Sequence, residues 1–139
     1  MTMPLGRIRI VVSTDGDIVV ARLAGRELAM QVGCTATDAT LVATAISEVA
    51  RNIVSHAGKG EVLIRAVPVG ANAQGAIEVV ARDEGPGIVD VERAMQDGYS
   101  TGDGLGLGLP GARRLMDEFE IVSEVGIGTT VVMRKWCTP

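Results

Sequence analysis

Apolar and polar residues alternate in some stretches of the chain and recur at helical spacing in others. Alternation over residues 7–13 predicts a first strand. Helical spacing predicts helices over residues 18–32 and 37–57, which Gly33 and Gly58 are placed to end. The chain therefore opens with a strand followed by two helices.

The later part of the pattern predicts strand pairs on either side of another helix. Strands are expected over residues 61–67, 76–82, 120–125 and 129–135, with a short helical piece over 89–95. Pro110 suits the first turn of the further helix. Its apolar face is expected to comprise Leu109, Ala112, Leu115 or Met116, and Phe119. This order indicates an α+β sandwich, with a mixed or antiparallel sheet and helices on one face.

Composition narrows the class of protein. The length of 139 residues indicates a single domain over residues 1–139, and 2% aromatic residues imply an aliphatic core. A formal charge of -4 without a basic cluster argues against nucleic-acid binding. No apolar run is long enough for a membrane helix and no leader is evident, so the cytoplasm is expected. Cys34 and Cys137 are interpreted as free thiols, although a bond between them stays open.

The second helix carries a polar stripe beside its apolar one. Glu48, Asn52 and His56 follow one another at four-residue spacing and border the apolar positions. An amide carbonyl can supply one oxygen to Mg²⁺, and a carboxylate can accept a proton from an attacking hydroxyl. The alternative is the solvated polar edge of an amphipathic helix.

Residues 83–108 contain seven glycines and fall into two motifs. Asp83-x-Gly85-x-Gly87 follows a strand, where a carboxylate can bind an exocyclic amine such as that of adenine. A Rossmann turn fits poorly because Pro86 interrupts it. In the second motif, alternating glycines before a helix can wrap phosphate oxygens with backbone N–H groups, although no Walker lysine follows. Its residues are Gly102, Gly104, Leu105, Gly106, Leu107 and Gly108.

Both motifs also have ordinary explanations. Asp-Gly-Pro turns are common loop composition, and glycine repeats form mobile linkers. Gly128-Thr129, which enters the last predicted strand, is by itself a hairpin turn, although a threonine hydroxyl there can support a bound base. The order of the four features along the chain favours the nucleotide interpretation.

These motifs resemble the boxes of the GHKL ATPase superfamily, which includes histidine-kinase catalytic domains, gyrase and anti-sigma kinases. The resemblance covers residues 7–136 and implies the two-layer GHKL (Bergerat) sandwich. Within the superfamily, the chain resembles the RsbT-type switch kinases of bacterial stress-response modules. The segments that carry this closer resemblance are 46–53, 83–88, 97–101 and 108–119.

The resemblance implies a serine/threonine kinase that uses ATP and Mg²⁺. Asn52 would bind the metal, Glu48 would act as base, and Asp83 would bind adenine in a pocket shaped by Gly85, Gly87 and Ile88. Thr129 would support the bound adenine base, and the glycines of the second motif would cover the phosphates. His56 is expected to pack or to act indirectly, and Ser100 and Thr101 are weaker candidates for phosphate contact. The implied substrates are STAS-domain proteins of the RsbS/RsbR type, and the implied downstream partner is a PP2C-type phosphatase of the RsbU type.

The sequence differs in one respect from what a fast kinase would require. The glycine segment lacks a lysine or arginine, so transition-state charge would be met by Mg²⁺, backbone donors, Arg113 or Arg114, and turnover would be slow. Two rival interpretations stay open: a free-standing histidine-kinase catalytic domain, and a nucleotide-gated binding switch with negligible kinase activity. A monomer or weak dimer is expected.

Overall fold

In the part of the chain that the structure describes, five strands form one antiparallel sheet, and the helices pack on one of its faces. The computed structural model describes residues 6–69, 74–96 and 108–137. The strands follow the order β1-β2-β3-β5-β4 across the sheet. In chain order the elements are β1 (Arg7–Val12), α1 (Asp15–Gln31), α2 (Ala36–Asn52), a π-helical turn (Ile53–Ala57), β2 (Gly60–Val69), β3 (Gln74–Asp83), α3 (Val91–Ala94), α4 (Gly108–Leu115), β4 (Glu118–Glu124) and β5 (Gly128–Cys137). The predicted α+β sandwich is confirmed.

Side-chain caps set where the first two helices begin. The Thr14 hydroxyl accepts from the Asp17 N–H at 3.2 Å, while the Asp17 carboxylate accepts from the Thr14 N–H at 3.1 Å. This reciprocal capping box satisfies N–H groups that the first turn leaves unpaired. Thr35 caps α2 through the N–H of Asp38. None of the helices in the described ranges is long and apolar enough to cross a bilayer.

The apolar stripe of α2 forms the centre of the core. The residues of this stripe recur at helical spacing and are all at most 2% exposed: Val42, Ile46, Val49 and Ile53. Small residues on α1, including Gly25, let that helix approach closely, since a Cβ at Gly25 would overlap the Ile46 side chain. The packing of α2 fixes the orientation of its neighbouring polar stripe.

The end of α2 differs from the prediction. The α-helix stops at Asn52 and continues as the π-helical turn Ile53–Ala57, which Gly58 closes at φ 81°. His56 lies in this turn and is exposed, which contradicts the packing role that was one of its two predicted roles. The other, an indirect role at the site, stays a prediction.

Phe119 lies in a strand and does not extend the apolar face of α4. The helix ends at Leu115, and β4 begins at Glu118, so Phe119 lies half-buried against the core from the sheet. Lys135 caps this end of the helix by donating to the Leu115 carbonyl at 3.2 Å. The early helix end shortens the predicted element by a turn.

The cysteines also differ from the prediction of free thiols. Cys34, between α1 and α2, is joined by a disulfide to Cys137 at the end of β5, with a Cα–Cα distance of 4.4 Å. The two residues are 103 positions apart in the chain, so their spacing gave no indication of contact. The fold brings them together because the α1–α2 connection lies beneath this end of the sheet; Val32 also packs near Gly75, the strand neighbour of Cys137.

Glu78 is a nearly buried carboxylate on the sheet face opposite the helices. Arg65 donates to its Oε1 at 2.6 Å and Arg134 to its Oε2 at 2.8 Å. Burial acts to raise the pKa of Glu78, but the hydrogen bonds and charges of the two arginines outweigh it and hold the pKa below its ordinary value. The carboxylate is therefore stabilised in its charged form.

Glu78→Gln is expected to destabilise the protein at neutral pH by about 1–3 kcal/mol. Because folding lowers the pKa of Glu78, its contribution is complete above the ordinary value of 4.5 and is lost as pH falls through the folded-state value. Urea unfolding of both proteins should therefore give free energies that differ most at neutral pH and converge as the pH falls below the ordinary value of 4.5. A constant difference across this range would contradict the assignment, and Glu27→Gln on the exposed side of α1 is the matched control.

Candidate functional site

Asp83 ends β3 at the rim of the sheet. In the strand register it lies between Gly60 of β2 and Thr129 of β5. Its Oδ1 accepts the Gly85 N–H at 2.9 Å, which turns the chain sharply after the strand. The half-buried carboxylate is held at the mouth of the loop that follows.

Glycines let backbone segments meet around this carboxylate. A Cβ on Gly85 would lie 2.5 Å from Ala57 Cβ, at the end of the π-helical turn. Gly87 has φ +78°, and a Cβ there would overlap the Glu124 carbonyl. Gly128 likewise approaches the carbonyl of Asp83. The loop is therefore a packed structure, which excludes the alternative of a freely flexible turn for residues 83–88.

A hydroxyl pair connects the loop to the last two strands. Ser123 Oγ lies 2.8 Å from Thr129 Oγ1 and accepts the Ile88 N–H at 2.7 Å. Thr129 is 6% exposed, so this network fixes both its hydroxyl and the position of Ile88. Sequence reasoning missed Ser123. The available signal was a polar residue at an inward-facing position of a strand whose burial alternates.

Glu48 lies on α2 next to Gly108, where the glycine segment enters α4. Its Oε1 accepts the Gly108 N–H at 3.0 Å, and Arg51 Nη1 lies 3.3 Å from its Oε2. The side chain of Glu48 is only 12% exposed. Two predicted site residues sixty positions apart are thus brought together, with Arg51 as an unpredicted neighbour.

Asn52 occupies the last α-helical position of α2 and is half-buried. Its side chain makes no cap hydrogen bond to the turn that follows. Among the described residues, no group of three His, Cys, Asp or Glu side chains could hold a metal ion. One amide oxygen suits Mg²⁺ only if phosphates and water supply its other ligands, which is how Mg²⁺ binds nucleotides.

Several predicted residues lie outside the described ranges. These are Ser100, Thr101, Gly102, Gly104, Leu105, Gly106 and Leu107. Arg113 and Arg114 are the two arginines predicted as possible partners of the transition-state charge. Arg113 donates to the Met95 carbonyl at 3.5 Å.

Gly87→Ala is expected to destabilise the fold by about 2–4 kcal/mol, because it adds steric overlap with β4 to the cost of a positive φ. Gly126→Ala is the matched control, since Gly126 has φ 82° and open space around its Cβ position. Its expected cost is about 1 kcal/mol. Equal costs in urea unfolding would show that the contact between Gly87 and β4 contributes nothing.

Comparison with known proteins defines the class to which this fold and site belong. The family model described as "Histidine kinase-like ATPase domain" matches residues 11–135. The sensor histidine kinase MprB from mycobacteria superposes with a TM-score of 0.54 at 17% identity, covering 96% of this chain and 98% of that one. The catalytic domain of histidine kinase ThkA gives 0.56 at 16% identity, covering 95% and 97%. These structures show the same fold, and the chain belongs to the histidine kinase-like ATPase family.

Curated relatives place the chain more narrowly. It is 46% identical over 125 residues to the serine/threonine-protein kinase RsbT of Bacillus subtilis (strain 168), covering 90% of this chain and 92% of that protein. It is 38% identical over 115 residues to the anti-sigma F factor of Halalkalibacterium halodurans, covering 78% and 76%. The predicted resemblance to RsbT-type kinases is confirmed.

Proposed function

We propose that this protein is an ATP-dependent serine/threonine kinase that switches protein partners in a bacterial stress-response module. The observation that carries the proposal is the Glu48 carboxylate, held by the Gly108 N–H where the glycine segment enters α4. To bind the nucleotide alone, the protein would need the amide of Asn52 and the adenine-binding carboxylate of Asp83. The carboxylate of Glu48, at the phosphate end, would serve proton transfer. The similarity to RsbT supports the same chemistry.

ATP would bind between two groups of residues, one around Asp83 and the other around Glu48. The helix α2 and its π-helical turn connect these two groups. Asp83 would accept a hydrogen bond from the adenine amine, with Gly85, Gly87 and Ile88 forming the pocket and Thr129 supporting the base. Asn52 would bind Mg²⁺, which would neutralise phosphate charge during transfer. Gly102, Gly104, Leu105, Gly106, Leu107 and Gly108 would cover the phosphates.

The transfer step follows from the position of Glu48. A partner's serine or threonine hydroxyl attacks the γ-phosphorus as its proton passes to Glu48, and the bond to the β–γ bridging oxygen breaks, which releases ADP. Arg51 Nη1, 3.3 Å from Glu48 Oε2, would hold the carboxylate in its orientation. Gly108 would exchange its hydrogen bond with Glu48 for one with phosphate oxygen, which frees the base as nucleotide binds.

The partners are proposed by likeness to the relatives. RsbT is named a serine/threonine-protein kinase and the other relatives anti-sigma F factors, so both kinds act on proteins. We propose STAS-domain proteins of the RsbS/RsbR type as substrates and a PP2C-type phosphatase of the RsbU type as the protein activated by binding. The proposed location is the cytoplasm.

A nucleotide-gated binding switch is the second candidate. The likeness to anti-sigma F factors favours it, as does the ion pair between Glu48 and Arg51, which is compatible with a purely structural carboxylate. A free-standing histidine-kinase domain has less support, because the likeness to MprB and ThkA concerns the fold alone.

Labelled ATP separates the kinase from the switch. The protein is incubated with γ-labelled ATP, Mg²⁺ and a STAS-domain protein of the RsbS type from the same organism, with the serine and threonine candidates of that protein replaced by alanine as control. Acid-stable label on the unaltered partner supports the kinase. ATP binding without label on any partner would support the switch, and acid-labile label would indicate histidine phosphorylation.

A further inference from the structure

The side chains of Asp83, Thr129 and Ser123 lie in one row across the end of the sheet. The register places Asp83 of β3 opposite Thr129 of β5, and Thr129 opposite Ser123 of β4. Residues opposite each other in antiparallel strands lie on the same face, with Cβ atoms about 5 Å apart. Thr129 therefore lies between the carboxylate assigned to adenine and a serine that the proposed function does not use.

Ser123 has one hydrogen to donate and two oxygens close enough to accept it. Its Oγ accepts the Ile88 N–H at 2.7 Å and lies 2.8 Å from Thr129 Oγ1. The Gly128 carbonyl oxygen is more distant, at 3.3 Å. Hydrogen bonds between two oxygens usually measure about 2.5–3.0 Å, so the hydrogen of Ser123 goes to Thr129. A hydroxyl carries a single hydrogen, and Thr129 therefore keeps its own hydrogen for another acceptor.

The surroundings of Thr129 limit where that hydrogen can be used. Thr129 is 6% exposed, and its register partner on the side away from Ser123 is Asp83. Asp83 Oδ1 accepts the Gly85 N–H at 2.9 Å, which leaves Oδ2 as the acceptor for a ligand. No hydrogen bond joins the side chains of Asp83 and Thr129, both of which the structure describes. The row therefore presents an acceptor beside a donor.

We propose that Ser123 is a positioning residue that fixes the direction of the Thr129 hydrogen and thereby makes the pocket selective for adenine. This role rests on the nucleotide site of the proposed function. Adenine has an amine donor at C6 beside an acceptor nitrogen at position 1. These groups complement the carboxylate of Asp83 and the O–H of Thr129, directly or through one water. A 6-oxopurine has the reverse order, with an acceptor at C6 and an N–H at position 1.

The hydrogen bond between Ser123 and Thr129 makes binding of a 6-oxopurine unfavourable. To accept the N–H at position 1, Thr129 would have to donate its hydrogen to Ser123. Ser123 would then have to donate to the Gly128 carbonyl at 3.3 Å, beyond the usual range. Without Ser123, the Thr129 hydroxyl can turn either way. Ser123 therefore contributes to base selectivity through Thr129 without touching the base.

A purely structural role for Ser123 predicts a different result. Ser123 also holds the loop of residues 83–88 through the Ile88 N–H, and the loop has a second attachment where the Gly126 N–H donates to the Pro86 carbonyl at 2.9 Å. A displaced loop would weaken the binding of every purine nucleotide alike. A lost hydrogen direction would instead change the ratio between one purine and another.

Calorimetry of ATP and inosine triphosphate (ITP) binding separates the two roles. Ser123→Ala should lower the preference for ATP over ITP by about three- to tenfold, the value of one hydrogen bond. Ser123→Thr keeps the hydroxyl and should keep the preference. Ser47→Ala is the control, since it removes a buried serine hydroxyl that donates to the Ala43 carbonyl within α2, and it should leave the ratio unchanged. Equal weakening of ATP and ITP in Ser123→Ala would overturn the proposal.

A nucleotide analogue tests the same hydrogen in the unaltered protein. In 1-deaza-ATP a carbon replaces the nitrogen at position 1, so wild-type protein should bind it about three- to tenfold more weakly than ATP. Equal binding of the two would also exclude the proposed role of Ser123.

Asp83→Asn distinguishes a failure of this inference from a failure of the proposed function. Unchanged ATP affinity in that variant would remove the adenine pocket and the role of Ser123 with it. Weaker ATP binding in Asp83→Asn, together with a wild-type ratio of ATP to ITP affinity in Ser123→Ala, would leave the pocket in place and remove only the role of Ser123.

Discussion

Glu48→Gln is expected to lower phosphate transfer to a protein partner by about two to four orders of magnitude, the usual contribution of a general base. Glutamine keeps an oxygen that can accept the Gly108 N–H, so α4 should stay in place. Because Glu48 does not belong to the group of residues around Asp83, ATP affinity should change by less than about threefold.

The assay for this variant measures initial rates of partner phosphorylation at saturating ATP, with calorimetry for nucleotide binding. Glu84→Gln is the control, since Glu84 is an exposed glutamate next to Asp83 in the loop formed by residues 83–88. Transfer at the wild-type rate would remove Glu48 from the mechanism and favour the binding switch. A parallel loss of affinity and rate would instead indicate a structural role.

Asp83→Asn is expected to weaken ATP binding by about 1.5–3 kcal/mol, the value of one hydrogen bond to a charged group. This corresponds to roughly 10- to 150-fold in dissociation constant. Asparagine preserves the shape of the side chain and an oxygen for the Gly85 N–H, so the turn after β3 should be retained.

Calorimetry with ATP measures this effect directly, and thermal unfolding without nucleotide checks that the fold is intact. Glu84→Gln again changes a neighbouring charge without altering the strand end. Unchanged ATP affinity in Asp83→Asn would remove Asp83 from the adenine site. Since the register places Thr129 beside Asp83, the pocket assigned to both residues would then be wrong.

The helices and strands could be predicted because their signals are local. Periodicity, caps and glycine stops act within a few residues, and the observed strand ends differ from the predicted ones by at most two residues. The sequence indicated less clearly which face of α1 packs against the core. Its larger apolar residues Val19 and Leu23 are 43% and 56% exposed, while Ala21 and Gly25 pack against the core. Close helix packing selects small residues, which contribute little to a hydrophobic pattern.

The remaining differences arise from long-range contacts. The π-helical turn ends where Ala57 packs against Gly85, and the disulfide joins Cys34 to the end of β5. Glu48 and Asp83 could be selected from motif order, because motifs carry family information across the chain. Arg51 could not, since its role exists only through its contact with Glu48. For Ser123 the sequence offered a polar residue at an inward-facing strand position, but its contact with Thr129 exists only in the fold.

We propose that this protein transfers phosphate from ATP to a hydroxyl of a protein partner with Glu48 as the base. Intact-mass and peptide mass spectrometry of the STAS-domain partner, after a single incubation with Mg-ATP, tests it most directly. We expect one phosphoserine or phosphothreonine with the wild-type protein and none with Glu48→Gln over the same time. An unmodified partner in the presence of bound ATP, or equal modification by both proteins, would contradict it.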